Sequence, residues 1–331
     1  MKRIGLGLGV AGLALGLAFA CGDDDSGNPD GGDTAGDTGG DAAGHCGRTD
    51  ECPIGSVCVP ESHVCELRLP TLAETGADMS CLGNNPPVPP LPGTVTATLY
   101  VEDFEDEYRV PGVTVELFLD NVVDDTPDLT VGPTDASGEV AGVAGLPARG
   151  LIAYRATGGR SPTTGAAQRT TVEYDVECPD ADGGRVRALS ISDSTYRLIP
   201  TILGITPDAD HAIVAGAFQD CADPPDEVEG IVARLLDASG QDCHVRNPRE
   251  CYARYFVDEF PSRIDNQPYS SPDGLYAIAQ VPPGDWVLEI RGRLTAASTE
   301  FPYNLLGRKE VHAIADAIVI VDVNPLAELP D

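Results

Sequence analysis

The sequence predicts an all-β protein: two consecutive β-sandwich units behind a small cysteine-rich knuckle and an acidic spacer. Three observations carry this expectation. Short apolar stretches alternate with a period of two, as half-buried strands do. The same order of strands, glycines and prolines occurs twice along the chain. No long amphipathic helix interrupts either copy.

The chain begins with the parts of a secretory signal over residues 1–20. Lys2 and Arg3 precede an apolar run, Ile4 to Ala20, which ends in small residues. Cys21, Gly22 and three aspartates, Asp23 to Asp25, follow. Lipoprotein signals resemble this arrangement, although Leu17 sits one place earlier than their usual leucine. Ala18-Phe19-Ala20 is also an A-x-A site for ordinary signal peptidase. Both readings cut before Cys21 and differ in whether that cysteine carries lipid; lipidation is the expectation. Gly22, rather than Asp, after the acceptor resembles the sorting pattern of outer-membrane lipoproteins, periplasmic or surface-exposed.

The 331 residues hold 53 acidic and 21 basic side chains, a net charge of −32. Nucleic acid is therefore not an expected partner, because phosphate contacts need a basic footprint. Ten cysteines in an exported chain point to disulfides. If Cys21 is lipidated, the remainder is odd and one cysteine stays unpaired.

Residues 21–44 are almost all Asp, Gly, Ala, Ser and Thr after the acceptor, and are expected to form a disordered tether. Asp37-Thr38-Gly39 spells the aspartic-protease triplet but lacks the apolar strand and second copy that chemistry needs. The aspartates also lack the spacing of a calcium loop.

Residues 45–66 contain Cys46, Cys52, Cys58 and Cys65. So short a segment cannot hold a core without covalent staples. Zinc prefers closer cysteine pairs, so two disulfides are expected, with Cys46–Cys58 and Cys52–Cys65 as the working pairing. The stretch Asp50 to Val59 resembles short cysteine-rich repeats of bacterial surface lipoproteins. His63 and Glu66 match a metallocarboxypeptidase H-x-x-E, but nothing nearby supplies a third ligand or a catalytic domain. Residues 67–92 end in Asn-Asn-Pro-Pro-Val-Pro-Pro-Leu-Pro and read as a stiff linker.

The first sandwich is placed at 93–192. Strands are expected at Thr94–Val101, Val113–Leu119, Leu151–Ala156, Thr170–Val176 and Val186–Ile191, with a turn at Asp135–Gly138. A connector follows at 193–208, with a short helix around Thr195–Leu203. The second sandwich is placed at 209–331. Val95, Ala97 and Leu99 match Ile213, Ala215 and Ala217; Gly112, Val113, Val115 and Leu117 match Gly230, Ile231, Ala233 and Leu235 at the same offset. Gly138, Pro147, Leu151 and Arg155 match Gly274, Pro283, Val287 and Arg291 at a larger one. About eighteen extra residues therefore lie near 237–270 of the second copy.

The runs Ser271–Leu288 and, more weakly, Thr134–Gly138 with Leu146–Gly150 resemble the carboxypeptidase regulatory-like, or transthyretin-like, domain. The resemblance covers about two thirds of the chain and implies seven-stranded antiparallel β-sandwiches. It implies little about function, since such domains serve many roles. Cys81 and Cys178 bracket the first copy and could staple its ends. Among Cys221, Cys243 and Cys251 one bridge is expected.

No H-E-x-x-H, G-x-S-x-G or phosphate-binding glycine loop is present, so no enzyme, metal or cofactor is expected. Related pilin β-sandwiches form an internal lysine–asparagine bond. The first copy holds no lysine and the second only Lys309, so that chemistry is not expected either. Trp286 opens an apolar strand and reads as core. The remaining candidate is the insertion, where Tyr252, Tyr255, Phe256, Phe260 and Tyr269 cluster with Arg246, Arg249 and Arg254. Two readings stand: a disulfide-pinned recognition loop, or aromatic residues of a core strand. The whole is read as a non-enzymatic cell-envelope lipoprotein, held to a membrane by its lipid and displaying β-sandwiches to a surface protein or polysaccharide. The alternatives are a glycan-binding module and an accessory subunit of a surface hydrolase.

Overall fold

The computed structural model describes residues 46–323 except 48, 84–88, 203–204, 206–207, 259 and 263–266. The signal, Cys21, the acidic tether and the Asp37-Thr38-Gly39 triplet lie outside the described residues.

The knuckle is a hairpin of β1 (Ser56–Val59) and β2 (Val64–Leu67), with disulfides Cys46–Cys58 and Cys52–Cys65. Beyond it, Thr71 and Glu74 form a capping box that starts α1 (Leu72–Thr75). Gly76, at φ 81°, ends it.

The first sandwich has seven strands. They are β3 (Thr94–Asp103), β4 (Val113–Phe118), β5 (Leu129–Val131), β6 (Glu139–Pro147), β7 (Leu151–Gly158), β8 (Gln168–Glu177) and β9 (Arg185–Ser192). β3 lies between antiparallel β6 and parallel β9, while β5, β4, β7 and β8 form an antiparallel ladder in that order. Alternate residues of both sheets, among them Leu99, Val101, Val115, Leu117, Ile152 and Tyr154, fill the core between them.

Ser192 caps α2 (Asp193–Ile202), its hydroxyl accepting from the Thr195 N–H. The second sandwich follows: β10 (Ala212–Ala217), β11 (Ile231–Leu236), α3 (Cys243–Arg246), β12 (Tyr252–Val257), β13 (Phe260–Pro261), β14 (Leu275–Val281), β15 (Gly284–Gly292), β16 (Asn304–Ala313) and β17 (Ala317–Ile320). Its plan repeats the first. β10 lies between antiparallel β14 and parallel β17, and β11, β15 and β16 form the facing sheet. Where the first copy adds β5 beside β4, the second adds β12 and β13 beside β14.

The glycine match holds for a physical reason. Gly138 and Gly274 both have positive φ, 72° and 62°. A Cβ on either would stand 2.7 Å from its nearest neighbour, Arg109 Cβ or the Phe218 carbonyl oxygen. The first-strand match needs correction. Val101 N–H bonds Gly138 O, and Phe218 N–H bonds Gly274 O. Val101 is thus equivalent to Phe218, and Val95, Ala97 and Leu99 to Ala212, Val214 and Gly216. Ile213, Ala215 and Ala217 point to the opposite face, where Ile213 and Ala215 pack with Tyr196 of α2.

The sandwiches are not separate beads. β17 pairs parallel with β10 on one side and with β8 of the first sandwich on the other, from Ala317↔Thr170 to Ile320↔Glu173. All four of its residues are buried, because it is covered on both faces. One long sheet therefore runs from β13 to β5 through both units. The β6–β3–β9 sheet covers one face of it. The β11–β15–β16 sheet covers the other, against a core that includes Phe118, Ala153 and Val172 of the first unit.

The N-terminal segment docks on the second sandwich, not on the first that follows it in sequence. Leu69 packs with Val232 and Tyr303, and Leu72 enters the core with Ile231 and Leu306. The segment 67–83 is thus not a free linker. The expectation that Cys81 and Cys178 staple the first copy is also overturned. Cys81 bonds Cys221, while Cys178 is a free thiol, 1% exposed in the first core. The docked α1 segment brings Cys81 to the second sandwich, where Cys221 N–H bonds Asp78 O and Asp78 N–H bonds the Asp220 carboxylate.

Candidate interaction surface

The insertion is built from the disulfide Cys243–Cys251 outward. Asp242 caps α3 by accepting from the His244 and Val245 N–H groups, and the bridge pins this turn to the start of β12. Arg246 and Arg249 are both exposed. Arg246 lies 5.1 Å over the Trp286 ring and near Asp237 and Glu250, pairs that solvent weakens. Trp286 itself is buried, its indole N–H donating to Pro282 O at 2.8 Å.

The five aromatic residues do not form one platform. On β12 the period of two sends Tyr255 and Phe256 to opposite faces of the sheet. Tyr255 is 2% exposed in the sandwich core, its hydroxyl accepting the Ala233 N–H at 2.9 Å; burial pushes its phenol well up. Phe256 packs on the other face with Tyr196 and Ile318. Tyr252 is half-buried beside His244 and Arg254. Phe260 is 58% exposed at the β12–β13 hairpin, and Tyr269 packs toward the knuckle contact. The recognition-loop reading of Tyr255 is thereby corrected: the insertion lays an extra strand along the β14 edge and covers it. The equivalent edge of the first copy, β6, is broken instead by register shifts with Gly142 and Gly145 at positive φ.

The most concentrated electrostatics lie elsewhere, on the outer face of β11–β15–β16. Arg234, Glu289 and Arg308 are neighbours in the strand register. Glu289 is fully buried. Arg234 donates to Oε1 at 2.7 Å, Arg291 to Oε1 at 2.6 Å and Arg308 to Oε2 at 2.6 Å. Burial by itself would raise this carboxyl, but the bonds from Arg291, Arg308 and Arg234 outweigh it and hold the pKa at about 2. Phe301 stacks under Arg234, and the Tyr303 hydroxyl donates to Ile54 O of the knuckle at 2.7 Å. The cluster therefore lies beside the seat of the knuckle. Sequence reading missed it, because a lone Glu in the apolar strand Trp286–Ile290 gains meaning only once its cross-strand partners are known.

Lys309 reaches across the junction to Asp175 at 2.8 Å, and Asp175 also accepts from the Asn121 side chain at 2.6 Å. His63 of the H-x-x-E match holds the Cys46 carbonyl through Nδ1. Among the described residues, the one grouping of three side chains with metal-ligand spacing is Cys46, Cys52 and Cys58, whose sulfurs are in disulfides.

No protein-family model matches the chain, and no curated protein does. Among solved structures, similarity is found to the shaft pilin SpaA of Lactobacillus rhamnosus GG. It shows 10% identity, covers 72% of this chain and 100% of that one, and has a TM-score of 0.20. The minor pilin GBS52 of Streptococcus agalactiae shows 13% identity over 72% of this chain and 99% of its own, at a TM-score of 0.22. The Bacillus anthracis TIE protein shows 10% identity over 69% of this chain, with a TM-score of 0.22, and this chain spans only 34% of its length. Likeness at this level carries no functional argument.

Proposed function

We propose that the chain is a non-enzymatic cell-envelope lipoprotein, anchored through Cys21, whose joined β-sandwiches serve a structural, adhesive or binding role. The disulfide pattern carries this reading. Bridges staple the knuckle, the docked segment and the insertion, as expected of a chain that folds in an oxidising compartment after export. The leader before Cys21 supports the same route, and Gly22 supports the outer membrane. The strand count of the first copy supports a transthyretin-like module. Glycan recognition through the insertion is the weaker reading, since its rings face three different surroundings.

The deciding measurement is the intact mass of the protein from the membrane fraction. Lipidation adds the mass of its acyl groups to the chain from Cys21. A mass equal to the bare chain would overturn the anchor.

A further inference from the structure

We propose that Cys81–Cys221 routes tension between the two chain ends past the first sandwich, leaving that module as a closed loop outside the load path. The bond joins residues 140 apart in sequence. Everything from β3 to β10 lies inside the loop it closes. Tension from the N-terminal side reaches the folded body through the knuckle and Cys81, crosses the disulfide, and continues from Cys221 through the rest of the second sandwich.

The exit point lies beside the entry point. Val323 pairs with Phe218 and accepts the Gln219 N–H at 3.0 Å, two residues from Cys221. The C-terminal ends of the parallel neighbours β10 and β17 are thus the two points drawn apart. Opposed pulling there opens the pair one bond at a time rather than loading the ladder in shear. β17 leaves first, and β8 loses a neighbour. No strand of the first sandwich is itself stretched, because each lies between Cys81 and Cys221. This holds whatever the two ends are attached to, and so does not rest on the lipid anchor.

At ~3.3–3.6 Å per residue the closed loop stores roughly 460–500 Å of chain. The test is stretching of the full chain in an optical trap, with handles at its two ends, first without and then with a thiol reductant. Without reductant, the fully extended length is expected to fall short by this amount. Reductant added under tension should release it. The other disulfides join residues only 8 to 13 apart, so their opening adds tens of ångströms at most and is distinguished by size. The free Cys178 inside the first core gives a second readout: it should stay unreactive to a thiol label while the oxidised chain is stretched. The double variant Cys81→Ser, Cys221→Ser should release the full length with no reductant. Full extension of the oxidised wild type, or labelling of Cys178 in it, would overturn the proposal.

Discussion

Thr134 and Ser270 perform the same buried task in the two sandwiches. The Thr134 hydroxyl donates to Val110 O at 2.7 Å and accepts the Val113 N–H at 3.0 Å. The Ser270 hydroxyl donates to Val228 O at 2.7 Å and accepts the Ile231 N–H at 2.9 Å. Each satisfies two backbone groups at the entry of a core strand, where neither can reach water.

Thr134→Val and Ser270→Ala are expected to destabilise the fold by about 1–3 kcal/mol each, the cost of leaving buried backbone groups unpaired. Thr134→Ser keeps the hydroxyl and should cost less. Chemical denaturation of the three variants measures this; equal midpoints for Thr134→Val and wild type would contradict it.

Glu289→Ala removes the one acceptor shared by three arginines. The expected loss is about 3 kcal/mol, at the low end for a broken buried pair because Arg308 keeps solvent access. Contacts made by the knuckle should loosen first. Faster amide exchange at Arg68 and Leu69, whose N–H groups bond Gly55 O, would report it.

Two carboxylates give opposite pH dependences. Glu289 falls from the ordinary 4.5 to about 2 on folding, so its contribution is full above pH ~4.5 and is lost as pH falls through about 2. Glu173, beside the Tyr154 hydroxyl, rises from 4.5 to about 7, chiefly through burial. Its contribution is full below pH ~4.5 and is lost as pH rises through about 7. In melting temperatures across pH, Glu289→Gln should flatten the acid limb, and Glu173→Gln should remove the decline between 4.5 and 7.

Cys178 should be chemically silent in the native protein, since burial, with Glu177 beside it, pushes its thiol up to about 11. The denatured, unreduced chain should then carry one reactive thiol if Cys21 is lipidated and two if it is not. Labelling of Cys178 in the folded state would show the first core to be more open than described.

The strands were legible in sequence wherever one face met a core, as in β3, whose Val95, Ala97, Leu99 and Val101 all point inward. β10 was legible as a strand but not in register. Ala212 and Ile213 are both buried, so an apolar residue at each position says nothing about which face is which. The Cys243–Cys251 bridge joins neighbours in sequence and was within reach. Cys81–Cys221 was not: no local pattern indicates that a chain segment will dock on a unit that emerges 140 residues later. The arginines around Glu289 were hidden for the same reason, being spread over three strands.

The shared strand β17 sets the order in which this protein can mature. During synthesis the strands of the first sandwich, β3 to β9, are made well before residues 317–320. Until they arrive, β8 presents unpaired backbone groups from Thr170 to Glu173, with Val172 bare beside them. The early half of the chain is then a template open to any extended segment nearby. That edge closes only when β17 arrives, so deletion of β17 should make the first sandwich, rather than the second alone, prone to aggregate.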